Sequence, residues 1–235
     1  MNITEKYRTF LKDLKENPNI KIEDYLTKEY EPWSNFTIEL SVEFLEEEGY
    51  ILDDNAKHLL QICDAKIGWS GMLKKVDCVC TGGFHFYSFS DTLTFYSSFW
   101  KGAFSLAPGI KVPEHLKHFE QLGWFERRPD GHGDHNRGCL IKKPGVFPPP
   151  LVFYRSGWYT TLNMNLEEYI TTMFDNYAVS GWQFFYFDIT EDVPNLDTVL
   201  REMRVVSEQM PLLFPDKDWS YHRQRYEETL KRLDK

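Results

Sequence analysis

Nowhere in the chain does an apolar run approach the ~20 residues that cross a bilayer. The stretch from Met1 to Lys15 is charged and amphipathic, without the apolar centre of a secretory leader. A cytoplasmic protein with no membrane contact is expected. Cysteine is scarce: Cys63, Cys78, Cys80 and Cys139 are the four, and no CxxC pair occurs. In a chain with no secretory signal this predicts buried thiols rather than a disulfide framework. Positive charge is also in short supply. Twenty-seven Lys and Arg face 36 Asp and Glu, a net charge of −9, which disfavours nucleic acid and anionic lipid as partners. It suits a basic protein, because charge of opposite sign steers encounter. Phosphate-cradling spacing is missing, since Gly82-Gly83 and Gly131-x-Gly133 are followed by neither Lys-Ser/Thr nor a third glycine in GxGxxG register. No GxSxG elbow and no internal repeat is present.

What is abundant is aromatic. Phe, Trp and Tyr make up 16% of the 235 residues, which marks a folded chain, and that length is enough for one core without disulfides. The spacing predicts a helix over 3–16 from Tyr7, Phe10, Leu11 and Leu14, ended by Asn17-Pro18-Asn19. A second helix is expected over 22–30, an extended segment over 33–40, and a helix over 42–48 stopped by Gly49. Asp53 or Asp54 caps a further helix with Leu59, Leu60, Ile62 and Cys63 inward. From Val76 to Phe89 the composition predicts two strands with a turn or bulge at Gly82-Gly83, then a strand or a short helix over 92–100, and a helix opened by Pro113. Residues 144–150 read as a proline loop, and 151–155 with 158–162 as a hairpin. Asn165 and Glu168 form a capping box for a helix whose stripe is Leu166, Tyr169, Ile170, Met173, Phe174 and Tyr177. Trp182 to Phe187, apolar on both faces, reads as a central strand. Asn195 then caps a helix ended by Pro211, and a charged helix runs from about Asp218 to Leu233. The sum is an α+β protein: a single domain, 1–235, in which a mostly antiparallel mixed sheet (66–190) is packed by helices and extended by helical parts at 1–65 and 191–235.

The one constellation with a chemical look is the glycine-broken turn carrying Asp130, His132, Asp134 and His135, with Cys139 just beyond it. Imidazole, carboxylate and thiol together are zinc-ligand types, and a metal-assisted hydrolase centred on His132 to Cys139 is the alternative function. Against it, a fourth ligand at a plausible spacing is missing, and the glycines suit a solvated turn. No metal and no cofactor is therefore expected. The binding residues expected are Asp130, His132, Asp134 and His135, together with Trp124 and Trp158 as aromatic neighbours.

The order of features from Trp124 onward is an aromatic strand start, Asp130-Gly131-x-Gly133-Asp134, Cys139-Leu140-Ile141, a proline loop, Leu151-Val152-Phe153-Tyr154 and Asn165-Leu166-Glu167-Glu168-Tyr169-Ile170. This resembles the C-terminal half of the SUKH superfamily, the Smi/Knr-type domains, over roughly fifty residues. The resemblance implies an α+β protein-binding domain without a shared enzymatic activity. Bacterial members are commonly immunity proteins that neutralise toxins, so a protein partner such as a basic toxin is the partner it implies.

Overall fold

The computed structural model describes residues 3–22, 35–62, 65–72, 80–94, 121–127, 136–155 and 158–234. Helix α1 (Ile3–Glu16) buries Tyr7, Phe10 and Leu14 on one stripe, and the chain leaves it at Asn17 to enter strand β1 (Ile20–Ile22). The helix expected from Ile22 does not start there, because Ile20 to Ile22 pair with a neighbouring strand and gain its ladder bonds; the rest of that expectation, 23–30, lies outside the described residues. Helix α2 (Asn35–Glu47) begins at Asn35, so the described part of the extended segment expected over 33–40 is helical. Gly49, at φ +86°, ends it as a glycine can. After β2 (Tyr50–Ile51), Asp53 caps α3 (Asp54–Lys57), its carboxylate accepting from the Ala56 amide at 2.6 Å. A 3₁₀ turn, His58–Ile62, continues it with Leu59 and Leu60 buried; Cys63 lies outside the described residues.

Strands β3 (Lys66–Gly71) and β4 (Cys80–Phe86) run antiparallel, and β4 passes without a break through Gly82-Gly83. The pair is therefore no turn. A Cβ on Gly82 would lie 2.5 Å from the Trp69 indole, so the glycine makes room for a ring from the next strand. Cys78 and the rest of 73–79 lie outside the described residues. Of the two readings open from Thr92, strand or short helix, the described part is helical, in α4 (Phe89–Thr94), while 95–100 and the helix expected after Pro113 fall outside the described residues. Next come β5 (Leu122–Trp124), β6 (Glu126–Arg127), β7 (Arg137–Ile141), β8 (Gly145–Val146), β9 (Leu151–Arg155) and β10 (Trp158–Thr161).

The described strands form two antiparallel four-stranded sheets, in the orders β1-β3-β4-β6 and β10-β9-β7-β5, plus a parallel pair, β2 with β8. The α+β class and the mostly antiparallel pairing agree with expectation, as does the 151–161 hairpin. Helix α5 (Leu166–Asp175) has the full capping box: Asn165 accepts from the Glu168 amide at 2.9 Å and Glu168 accepts from the Asn165 amide at 2.8 Å. Its stripe is buried throughout, Tyr177 included. Trp182–Phe185, expected as a strand, is a 3₁₀ turn, with the Phe184 amide bonded to the Gly181 carbonyl. All four residues are buried, as a central strand would be, and a run apolar on every side carries no period to separate the two. Helix α6 (Leu196–Leu213) runs through Pro211 rather than ending at it, and Asn195, at φ +57°, makes no side-chain cap bond. The proline has no N–H to give, so the helix forgoes the bond to the carbonyl four residues back and still continues to Leu213. Helix α7 (Ser220–Arg232) closes the chain.

Helix α1 packs against α5 through Tyr7, Phe10 and Phe174, with Phe84 of β4 in the same aromatic cluster. The second sheet is apolar on both faces. Leu140, Leu151 and Phe153 join the main core, whereas Leu122, Trp124, Cys139, Val152 and Tyr154 form a separate buried cluster. No helix among the described residues is long and apolar enough to cross a membrane.

Candidate functional site

Asp130, His132, Asp134 and His135 lie outside the described residues, within 128–135. Trp124 and Trp158 are described, and the fold keeps them apart. They sit on the two edge strands of the second sheet, β5 and β10, with β7 and β9 between. They also face opposite ways. Trp124 packs on Tyr154 in the small cluster with the Arg137 guanidinium 3.6 Å from its ring centroid, whereas Trp158 packs on Phe153 and Phe187 beside the main core. They do not form one binding surface. Cys139 is fully buried in the strand, and burial pushes its thiol well above the usual range, the wrong direction for a nucleophile or a thiolate ligand. Among the described residues no group of three or more His, Cys, Asp or Glu could hold a metal ion.

The residues flanking 128–135 belong to a buried polar network. The Glu126 carboxylate accepts from the Gly138 amide at 3.0 Å and from the Tyr169 hydroxyl at 3.1 Å, and Gln183 donates to that hydroxyl at 3.2 Å. Burial raises the Glu126 carboxyl to about 7, opposed by the Gly138 and Tyr169 bonds and by the nearby Arg137 charge. On the other flank, Asn136 accepts from Arg155 at 3.2 Å, and Arg155 pairs in two bonds with Glu202 of α6 at 3.1 and 3.3 Å. The Arg155 side chain is fully buried and lies over the Phe184 ring. These charges are answered by neighbours, so the network ties the second sheet to α5 and α6.

A different place is concave. A cavity of about 420 Å³ opens where the C-terminal ends of α1 and α6 meet. Asp13, Glu16, Asn17 and Asp216 supply its polar wall, Tyr177 and Phe214 its aromatic floor, and Lys217 its rim. The fold holds this floor from several sides. Tyr177 follows α5 at φ +54° and Ala178 at +49°, conformations that cost a non-glycine residue energy and persist only when the surroundings impose them. Trp69, lying over Gly82, donates its indole N–H to the Tyr177 carbonyl at 2.7 Å. The Gly83 amide bonds the Ala178 carbonyl, and the Ser180 amide the Thr81 carbonyl, each at 2.9 Å. The Tyr177 hydroxyl then donates to Asp13 at 2.8 Å, and its ring stacks on Phe214 with centroids 3.6 Å apart. Asn17 locks the opposite wall by donating to the Leu213 carbonyl at 2.6 Å. The Tyr177 phenol is raised far above its ordinary value, first by burial, then by the bond to Asp13 and by the charges of Asp13, Asp175 and Asp216. The site is thus lined by carboxylates set over aromatic rings that are themselves nearly fully buried.

Sequence reasoning counted Tyr177 as core and did not single out Asp13, Glu16 or Asp216. The only local signals were the glycine pair in β4 and the turn Asn17-Pro18-Asn19, and neither says that α1 and α6 end side by side. No family model, no curated protein and no solved structure matches the chain.

Proposed function

We propose that the protein is a non-enzymatic, cytoplasmic binding domain for a basic protein partner, in the manner of an immunity protein that neutralises a toxin. The observation that carries this reading is the convergence of Asp13, Glu16 and Asp216 on one aromatic-floored cavity in a chain of net charge −9. Carboxylates in a concave, partly apolar wall focus a field that attracts a cationic partner. Groups with displaced protonation elsewhere, Glu126, Cys139, Tyr169 and His222 among them, do not line this cavity. The motif order that resembles SUKH domains is compatible with the same role.

Calorimetric titration with a Lys/Arg-rich 20-residue peptide and its Glu-rich counterpart tests the reading. Binding is expected for the basic peptide alone and weakens with salt. The triple variant Asp13→Asn/Glu16→Gln/Asp216→Asn should lose at least tenfold in affinity, roughly what removing several close charges costs. Neutralising the exposed Glu46, Glu47 and Glu48 at the end of α2 removes the same charge and should change little. Equal losses in the two triples, or no binding at all, would refute a partner site at the cavity.

A further inference from the structure

The parallel pair of β2 and β8 has one face covered and one face open. Tyr50 and Phe147 are buried on the first. Ile51 and Val146, register partners on the second, are 65% and 73% exposed. Pro144 stands one step back beside Gly49, where a Cβ would lie 3.3 Å from it, and it too is exposed, so the patch continues there. Apolar side chains gathered on one open face mark a contact surface, as a single exposed one does not.

Two features narrow what can cover it. Prolines stand at 144 and at 148–150, on either side of β8. They cannot donate to a ladder, so the β8 edge is guarded against an added strand and the contact falls to the face. The charge around the patch is also split along the line between the strands. Residues 46–54, on the β2 side, carry five acids and no Lys or Arg, whereas residues 142–150, on the β8 side, carry two lysines and no acid. Because the strands run parallel with Tyr50 beside Gly145, Glu48 and Lys143 lie at the same end, one on each half. Both are exposed, and neither forms an ion pair among the described residues. A surface with opposite charge on its two halves is complementary to itself. A half-turn about an axis along the strands lays the β2 half of one copy on the β8 half of another. Ile51 then meets Val146 and Glu48 meets Lys143, in both directions, as a closed two-fold interface requires. Asp53 and Asp54 fall opposite the uncharged Pro148 to Pro150. The patch is much smaller than the roughly 20–30 residues a side of a standard interface, and each chain carries −9, so the contact is reversible and depends on concentration.

We propose that the Ile51–Val146 face is a self-association surface, on which two copies of this chain pack face to face about a two-fold axis along β2 and β8, each Glu48 opposite the Lys143 of the other copy. The inference does not draw on the basic-partner reading, since none of these residues lines the cavity at the ends of α1 and α6.

Sedimentation velocity of the full chain, over about a hundredfold range of concentration, tests the surface. A dimer should grow in as concentration rises, and the methyl NMR signals of Ile51 and Val146 should shift in step with it. Val146→Asp should abolish the dimer. Met72→Asp adds the same charge at a similarly exposed apolar position outside the patch and should leave it unchanged. Both positions face water, so thermal melts matching the parent's show that each variant is folded. Glu48→Lys and Lys143→Glu should each weaken self-association about tenfold, because each sets like charges opposite one another on both sides of the axis. Mixed in equal amounts, these two variants should pair with each other as well as the parent pairs with itself, since every facing charge is then opposite again. A chain that stays monomeric at every concentration overturns the proposal and leaves the face to a different partner. So does a dimer that Val146→Asp leaves intact, or a mixture that associates no better than either charge variant alone.

Discussion

Glu126 and Asp13 each accept a hydrogen bond from a tyrosine hydroxyl, Tyr169 and Tyr177 respectively, and the likeness ends there. Glu126 is 3% exposed between β6, β7 and α5, and its environment holds the carboxyl near neutrality. Asp13 stands on the wall of an open cavity with Glu16 and Asp216 for company and the Lys217 ammonium over the ring. The same chemical groups serve opposite ends. Where water is excluded, charge must be paired or suppressed, and the result is cohesion. Where water reaches, charge needs no buried partner: among the described residues the only cation within 4.0 Å of Glu16 is the exposed Lys12 ammonium, and the wall remains reachable from solvent.

The sharpest way to break this contrast is at Arg155. Its guanidinium is fully buried against Glu202 and Asn136. Arg155→Met leaves those groups unanswered and should cost about 3–5 kcal/mol in urea unfolding, the range for one-sided loss of a buried pair. Arg155→Met/Glu202→Leu should recover most of that loss. If the single variant cost under about 1 kcal/mol, the size of a surface pair, the network would be ornamental.

Next in size is a pair of opposed proton linkages. Burial raises Glu126 from 4.5 to about 7, so folding selects its neutral form. Its contribution to stability is complete below pH 4.5 and is lost as pH rises through 7. Burial lowers His222 from 6.5 to about 4, against the opposing pull of Asp218. Both its ring nitrogens are buried without a hydrogen-bond partner among the described residues, and its ring packs on Phe185 and Trp219. Its contribution is complete above pH 6.5 and is lost as pH falls through 4. Each is worth on the order of 3 kcal/mol at full extent, and across the shared window they oppose. Glu126→Gln should leave a stability that climbs with pH between about 4.5 and 6.5, and His222→Phe one that declines, as read from urea midpoints at stepped pH. Parallel profiles in the two variants would contradict the assignment.

The smallest effect belongs to the cavity. Asp13→Asn, Glu16→Gln and Asp216→Asn should each change stability by less than about 0.5 kcal/mol, the usual range for surface substitutions. A thermal melt showing a loss comparable to that of Arg155→Met would mean that the cavity acids hold the fold together and are not reserved for a ligand.

Elements governed by neighbours in the chain were legible. The α5 stripe, its Asn165–Glu168 box and the stop at Gly49 agree with the periodicity and the cap chemistry, because each depends on residues three or four apart. Misreadings cluster where a distant partner decides. Gly82-Gly83 has the look of a turn until Trp69 is placed over it. Ile20 to Ile22 become a strand because β3 lies alongside. Trp182 to Phe185 are buried as expected, and only their 3₁₀ bonds distinguish them from a strand. At the candidate site, Trp124 and Trp158 share aromatic character but not a face or an edge of the sheet, a matter of register that composition does not carry.

Local patterning sufficed for the α+β class, the buried stripes and the acidic character, since these follow from spacing and counts. The cavity is of another kind. Asp13, Tyr177 and Asp216 come from three remote parts of the chain, and they meet only because α1 packs on α5 while the end of α6 stacks Phe214 on the Tyr177 ring. Contacts across such separations are set by how whole elements pack, and no short stretch of residues encodes them.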